Sequence, residues 1–279
     1  MDDSLLAECW AGWALIDRIL AWIWGFWLHL WTSLSLSITW SRQVWSCFFR
    51  GGAVFLVVTA VLLIPVVLYQ IQVEPTITSS LEKPPQDWDS QDKNRVFRYS
   101  MVVFCLQILL NSLLGGLLVF DVERGLAGNR TSFHGFLGRD FGSFLGMLST
   151  AVLVTSAVLL GLFFFVVPGF LFLSMCFVAV PAMVKEKGGG LQCLGRSYSL
   201  TQGHWIAILG LLFLLQFPLM LGFIILGQWL SGGEGQFWLR FLLSVVSVSL
   251  HGTASAVVYI QLRMRKEGFS PEANSDGGE

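Results

Sequence analysis

Ile206 to Leu230 reads IAILGLLFLLQFPLMLGFIILGQWL, with no Asp, Glu, Lys or Arg anywhere in it. A helix needs about 20 apolar residues to cross the roughly 30 Å hydrocarbon core of a bilayer. This stretch therefore has the length of a span, and no charge in it opposes burial in lipid. Five others share the property: Ala53 to Ile71, Ser100 to Phe120, Phe144 to Val167, Phe170 to Val184 and Phe241 to Ile260. The reading is an all-α polytopic membrane bundle of about six transmembrane helices. The absence of intramembrane charge also bears on function, because pumps, ion carriers and membrane enzymes usually keep an ionisable group at depth.

Composition agrees. Of 279 residues, 54% are hydrophobic and 13% charged, against roughly 25% charged in soluble domains. A net charge of −1 offers no basic face for nucleic acid. The cysteines at 9, 47, 105, 176 and 193 lack CxxC or Cys/His spacing, so neither a disulfide framework nor a zinc site is expected. No cofactor is expected either. The chain divides into a Trp-rich segment 1–50, a membrane domain 51–262 and a polar tail 263–279.

The first segment holds Trp10, Trp13, Trp22, Trp24, Trp27, Trp31, Trp40 and Trp45, eight of the twelve tryptophans. Trp10, Trp13, Leu20, Trp24, Trp27 and Trp31 recur at helical spacings, and indole rings favour the headgroup level. An N-terminal interfacial helix is expected, with a seventh span over residues 19–40 or a partner-binding helix as alternatives. The start Met1-Asp2-Asp3 lacks the positive charge of a secretory signal.

Cations set the orientation. Arg18, Arg42 and Arg50, then Arg124, Arg130 and Arg139, then Lys185, Lys187 and Arg196, then Arg263, Arg265 and Lys266 occupy alternate connections. The positive-inside rule makes these cytoplasmic, with both termini inside. Gln72 to Tyr99, of mixed charge, falls outside by parity. Val167-Pro168-Gly169 is expected to break the chain before the short fourth stretch, which either crosses as a span or forms a re-entrant hairpin.

A few polar groups lie at depth. Gln107 and Asn111 share a face of the second span, Gln216 lies on the fifth, and Ser244, Ser247, His251 and Ser255 line one face of the sixth. Interhelical hydrogen bonding, worth about 1 kcal/mol, is the favoured reading. A polar translocation path is the alternative. Gly138, Gly142 and Gly146 form a small-residue seam for close helix approach. Gly190 to Ser197 imitates P-loop spacing but has arginine for lysine and no preceding strand. Asn129-Arg130-Thr131 is a sequon on the expected cytoplasmic side. Metalloprotease and serine-hydrolase motifs are missing, and a non-enzyme is expected.

Leu191 to Gln202 reads as a surface helix with Leu191, Leu194, Tyr198 and Trp205 approximating an apolar stripe. The run Leu194-Gly195-Arg196-Ser197-Tyr198-Ser199-Leu200-Thr201-Gln202-Gly203, with Val167-Pro168-Gly169 and Pro181-Ala182 bracketing the fourth stretch, resembles a family of bacterial integral membrane proteins. These are the membrane domain attached to some glycerophosphodiester phosphodiesterases and the related uncharacterised six-span inner-membrane proteins. The likeness covers roughly the last two-thirds of the chain. It implies a bacterial inner-membrane location. Within the run, the Arg196 guanidinium suits contact with a lipid phosphate or capping of a neighbouring helix, and a structural hydrogen-bonding role is the favoured reading, since one arginine alone makes a weak phosphate site. The catalytic barrel of the fused members needs roughly 250 residues and has no room here. The expectation is a scaffold that binds membrane lipids or a protein partner. The alternative is a small-molecule or lipid permease using Gln107, Asn111, Gln216 and His251.

Overall fold

The computed structural model describes residues 3–81, 89–127, 141–229 and 233–268; within these, the side chains of 3–25, 52–54, 70–71, 74–81, 141–143, 166, 227–229 and 233–237 are outside the description. The described residues form eight helices: α1 (Asp3–Leu81), α2 (Ser90–Leu126), α3 (Phe141–Phe164), α4 (Val166–Cys176), α5 (Ala179–Glu186), α6 (Gly190–Thr201), α7 (Trp205–Trp229) and α8 (Gly233–Glu267). Five segments are long and apolar enough to cross a membrane, or six when the bent pair within α1 counts as one span. The sequon, Gly138 and most of the tryptophan stripe fall outside the described backbone or side chains.

Within α1, Phe26–Gly51 and Phe55–Tyr69 meet at 90°. The corner is tight enough that a Cβ on Gly51 would overlap the Phe55 ring at 2.6 Å. The first of these pieces, called the arm below, lies across one end of the bundle. Ser37 Oγ donates to Ala207 O at the start of α7 (2.8 Å), and Arg50 Nη1 donates to Gly125 O in the last turn of α2 (3.1 Å). Trp40, Val44 and Cys47 are buried beneath the arm, while Trp27 and Trp31 remain 61% and 69% exposed. An amphipathic helix with indoles outward has the character of an interfacial element.

Helices α2 and α8 form the bundle axis. A Cβ on Gly252 would stand 2.7 Å from Leu114 Cβ and 3.2 Å from Gly115 N, and one on Gly115 would stand 2.8 Å from Ser255 Oγ. Small residues thus let the two backbones nearly touch. The seam noted in the sequence contributes at Gly146, whose missing side chain makes room for Met183 of α5. At 1.5 Å per residue the 37 residues of α2 run about 55 Å, well beyond a hydrocarbon core. Its first turns therefore belong to the mixed-charge segment Gln72 to Tyr99, which is helical over its described residues apart from the extended Asp89. Asp89 caps α2 by accepting from Asp92 N (2.6 Å), and Tyr69 stacks on Tyr99 where α1 and α2 meet.

The break expected at Val167-Pro168-Gly169 occurs three residues before the proline, at Phe165, the one extended residue between α3 and α4 (φ −165°, ψ 155°). Proline is tolerated in the first turn of a helix, where its missing N–H has no partner to lose. Pro168 therefore starts α4 instead of ending α3. Gly161 and Gly169 then approach backbone to backbone, a Cβ on the first lying 3.1 Å from Cα of the second. Residues Val167–Glu186 have the length and composition of a span but are split into α4 and α5. Pro181 causes the split: it cannot donate to Phe177 O and sits in the first turn of α5. Two carbonyls freed near this break are satisfied from other helices. Ser255 Oγ of α8 donates to Phe177 O and Ser197 Oγ of α6 to Met175 O, each at 2.6 Å.

Candidate ligand cavity and its charged end

Gln107 and Asn111 lie one turn apart on α2, facing α3 and α4 across a gap that the α3–α4 hairpin leaves open. The gap is a cavity of about 350 Å³ bounded by Phe104 and Ile108 on α2, Val154, Val158 and Leu162 on α3, Phe170, Leu173 and Cys176 on α4, and His251 and Ser255 on α8. Its walls are apolar apart from the two amides, the imidazole and the Ser112 and Ser255 hydroxyls. Three of the four intramembrane polar residues singled out in the sequence therefore converge on one space. The fourth, Gln216, accepts from Ser247 Oγ (3.0 Å) and lines a second cavity of about 760 Å³ between the arm, α4 and α7. Phe170, Leu173 and His251 border both cavities.

The polar groups differ in how well they are satisfied. Ser247 and Ser255 make interhelical bonds, and His251 sets its ring edge-on to Phe177 with centroids 6.4 Å apart. Asn111 Oδ1 is buried and has no hydrogen-bond partner among the described residues. A buried, unpaired amide oxygen costs about 1–3 kcal/mol, which a ligand offering a hydroxyl or amine would relieve. The cavity offers amides, hydroxyls and one imidazole, groups that can hydrogen-bond a ligand, and no carboxylate stands among its described lining residues. Among the described residues no three His, Cys, Asp or Glu side chains gather closely enough to hold a metal.

Arg196, on α6, is not among the residues that line this cavity. Its Nε donates to both oxygens of Glu186 (3.0 and 2.9 Å) and its Nη2 pairs with Glu267. Burial would lower the guanidinium's basicity, but these two carboxylates outweigh it and hold its pKa above the ordinary arginine value. Arg263 also binds Glu267, Tyr259 donates to Glu186 (3.1 Å), and Lys266 Nζ donates to Ser199 O and Gln202 O, capping α6. Lys185 pairs with Glu123 of α2. This network ties α5, α6 and α8 together. Sequence reading singled out Arg196 but not its carboxylate partners, because Glu186 and Glu267 lie on different helices and only the Arg263–Glu267 spacing of four is visible in one dimension.

The P-loop look-alike is helical from Gly190 onward, so it forms a helix start and not a phosphate-cradling loop, and Gly189 N–H donates to Gln192 Oε1 at its cap (3.2 Å). Leu191 is 75% exposed and Tyr198 also faces outward, while Cys193, Ser197, Leu200 and Thr201 are buried. Of the expected stripe, Leu191 and Tyr198 point away from the bundle, as in a helix resting against a membrane surface, whereas Leu194 packs against the core and Trp205 is half-buried.

No family model, curated protein or solved structure matches the chain.

Proposed function

We propose that this integral membrane protein is a non-enzymatic binder of an amphipathic, mostly apolar molecule, a membrane lipid or a lipid-like compound, held in the cavity between α2, α3, α4 and α8. The observation that carries the reading is Asn111 Oδ1, buried without a partner beside an apolar space of about 350 Å³. Pockets that are largely apolar with a few orienting polar groups are the usual form of small-molecule sites. Acyl chains suit the walls, and a hydroxyl- or amine-bearing head suits the amide. The positive-inside rule and the resemblance to six-span inner-membrane proteins support a bacterial plasma membrane location with both termini cytoplasmic. Membrane lipids are then the first partners, and a protein partner would meet the arm or α6.

Transport is the second reading, favoured by His251, Phe170 and Leu173 bordering both cavities, with Gln216 on the far side. Native mass spectrometry of protein released from lipid discs separates the readings from an empty bundle. Binding gives a stoichiometric adduct that is lost in Asn111→Leu and kept in Gln216→Leu. Flux into proteoliposomes that needs both Asn111 and Gln216 would favour transport, and no adduct with no flux would sink both.

A further inference from the structure

At the charged end of the bundle a separate recess of about 360 Å³ opens between the arm, the turn joining α6 to α7, and the end of α8. His29, Thr32, Ser35 and Thr39 face it from the arm, Gly203 and His204 from the turn, and Arg265 from α8. Its walls are mainly polar, unlike those of the cavities at depth, and no carboxylate lines it among the described residues. Gly203 has φ +85°, a conformation that L side chains rarely adopt, and this turns the chain so that His204 comes to the recess.

The recess is built to receive negative charge. Arg265 is exposed and forms no ion pair among the described residues, whereas Arg196 and Arg263 on the neighbouring surfaces are held by Glu186 and Glu267. Thr32, Ser35 and Thr39 donate back to carbonyls of their own helix. Donation to a ligand thus falls to the guanidinium and the imidazoles. His204 Nδ1 faces Gln202 O at 3.3 Å, which leaves Nε2 for the recess. Burial, opposed by that carbonyl, pushes the His204 pKa below the ordinary value, and Lys266, Arg265 and His29 push it the same way. The positive charge that Lys266 and Arg265 place around His204 would be relieved by an anion. The arm that lines the recess also carries the exposed Trp27 and Trp31, side chains that belong at the level of lipid headgroups.

We propose that the recess formed by His29, Gly203, His204 and Arg265 is a phosphate-binding site, with Arg265 as the permanent cation and His204 as the group that gains a proton when phosphate enters. This site is distinct from the cavity at depth and stands or falls independently of it. The two sources of phosphate are a lipid phosphodiester and free inorganic phosphate.

The test has two arms on the full chain. In discs of phosphatidylcholine with a minor fraction of phosphatidylglycerol, whose phosphodiester does not titrate near neutrality, native mass spectrometry counts retained phosphatidylglycerol. In neutral detergent, inorganic phosphate is titrated against chloride at matched ionic strength and the unfolding midpoint is followed. A lipid site gives about tenfold weaker retention in Arg265→Gln, the loss of one charge-assisted contact, and tighter retention by the unsubstituted chain as pH falls. A free-phosphate site gives a midpoint shift that Arg265→Gln and His204→Gln each abolish. Arg124→Gln, which removes an exposed cation outside the recess, leaves both readouts unchanged. Equal responses from the unsubstituted chain, Arg265→Gln and His204→Gln, or an equal loss in Arg124→Gln, would overturn the proposal.

Discussion

His204 shows how one side chain can couple a turn to the surrounding charge. It is half-buried against Trp40, with ring centroids 6.3 Å apart, and its pKa is lowered by burial and by Lys266, Arg265 and His29, with Gln202 O opposing. A histidine whose folded pKa lies below its unfolded value binds fewer protons when folded. Its contribution to stability is then complete above about pH 6.5, the ordinary value, and is lost as pH falls through the depressed folded value. In phosphate-free detergent the unfolding midpoint should drop on acidification, and His204→Gln should drop less over the same range. Identical pH profiles would show that His204 carries no such linkage. None of this was visible from the sequence, where His204 is one polar residue before a span. Its neighbours come from three elements far apart in the chain.

Among the elements, the split between α4 and α5 carries the clearest chain of cause. Pro181 removes the donor for Phe177 O, and Ser255 Oγ replaces it from α8 at 2.6 Å. Losing that hydroxyl should cost about 1–3 kcal/mol, the penalty for a buried carbonyl left unpaired. Ser255→Ala should therefore lower stability in denaturant titration. In a Pro181→Ala background the regained N–H can serve Phe177 O within the helix, so the same substitution should cost measurably less; additive effects would contradict the assignment. The existence and approximate limits of the spans were legible because apolar length alone decides them. The exact break before α4 was misplaced at Pro168 because proline suits the start of a helix as well as it ends one. The Gly115–Gly252 crossing escaped notice for another reason: the two glycines lie on different helices, and only packing reveals that they meet.

At the scale of the whole molecule, charge and polarity are sorted by depth. Ion pairs among Glu186, Arg196, Arg263 and Glu267, together with Lys185–Glu123, collect at one end beside the arm, while the spans meet through small residues and hydroxyls. The two prolines and the run Leu194 to Gly203 have structural work in this arrangement: Pro168 opens α4, Pro181 opens α5, Arg196 joins two carboxylates and Ser197 caps a freed carbonyl. Gln107, Asn111 and His251 could be picked out in the sequence as polar groups at depth, but their convergence could not, since α4 must fold back before a cavity exists. Density for the protein in native lipid discs, resolved at side-chain level by electron cryo-microscopy, tests the central claim most directly. The account predicts an elongated feature between Phe104, Val158, Phe170 and His251 with its polar end within hydrogen-bonding reach of Asn111 Oδ1. A cavity collapsed around Phe177, with Asn111 bonded to another helix, would contradict it.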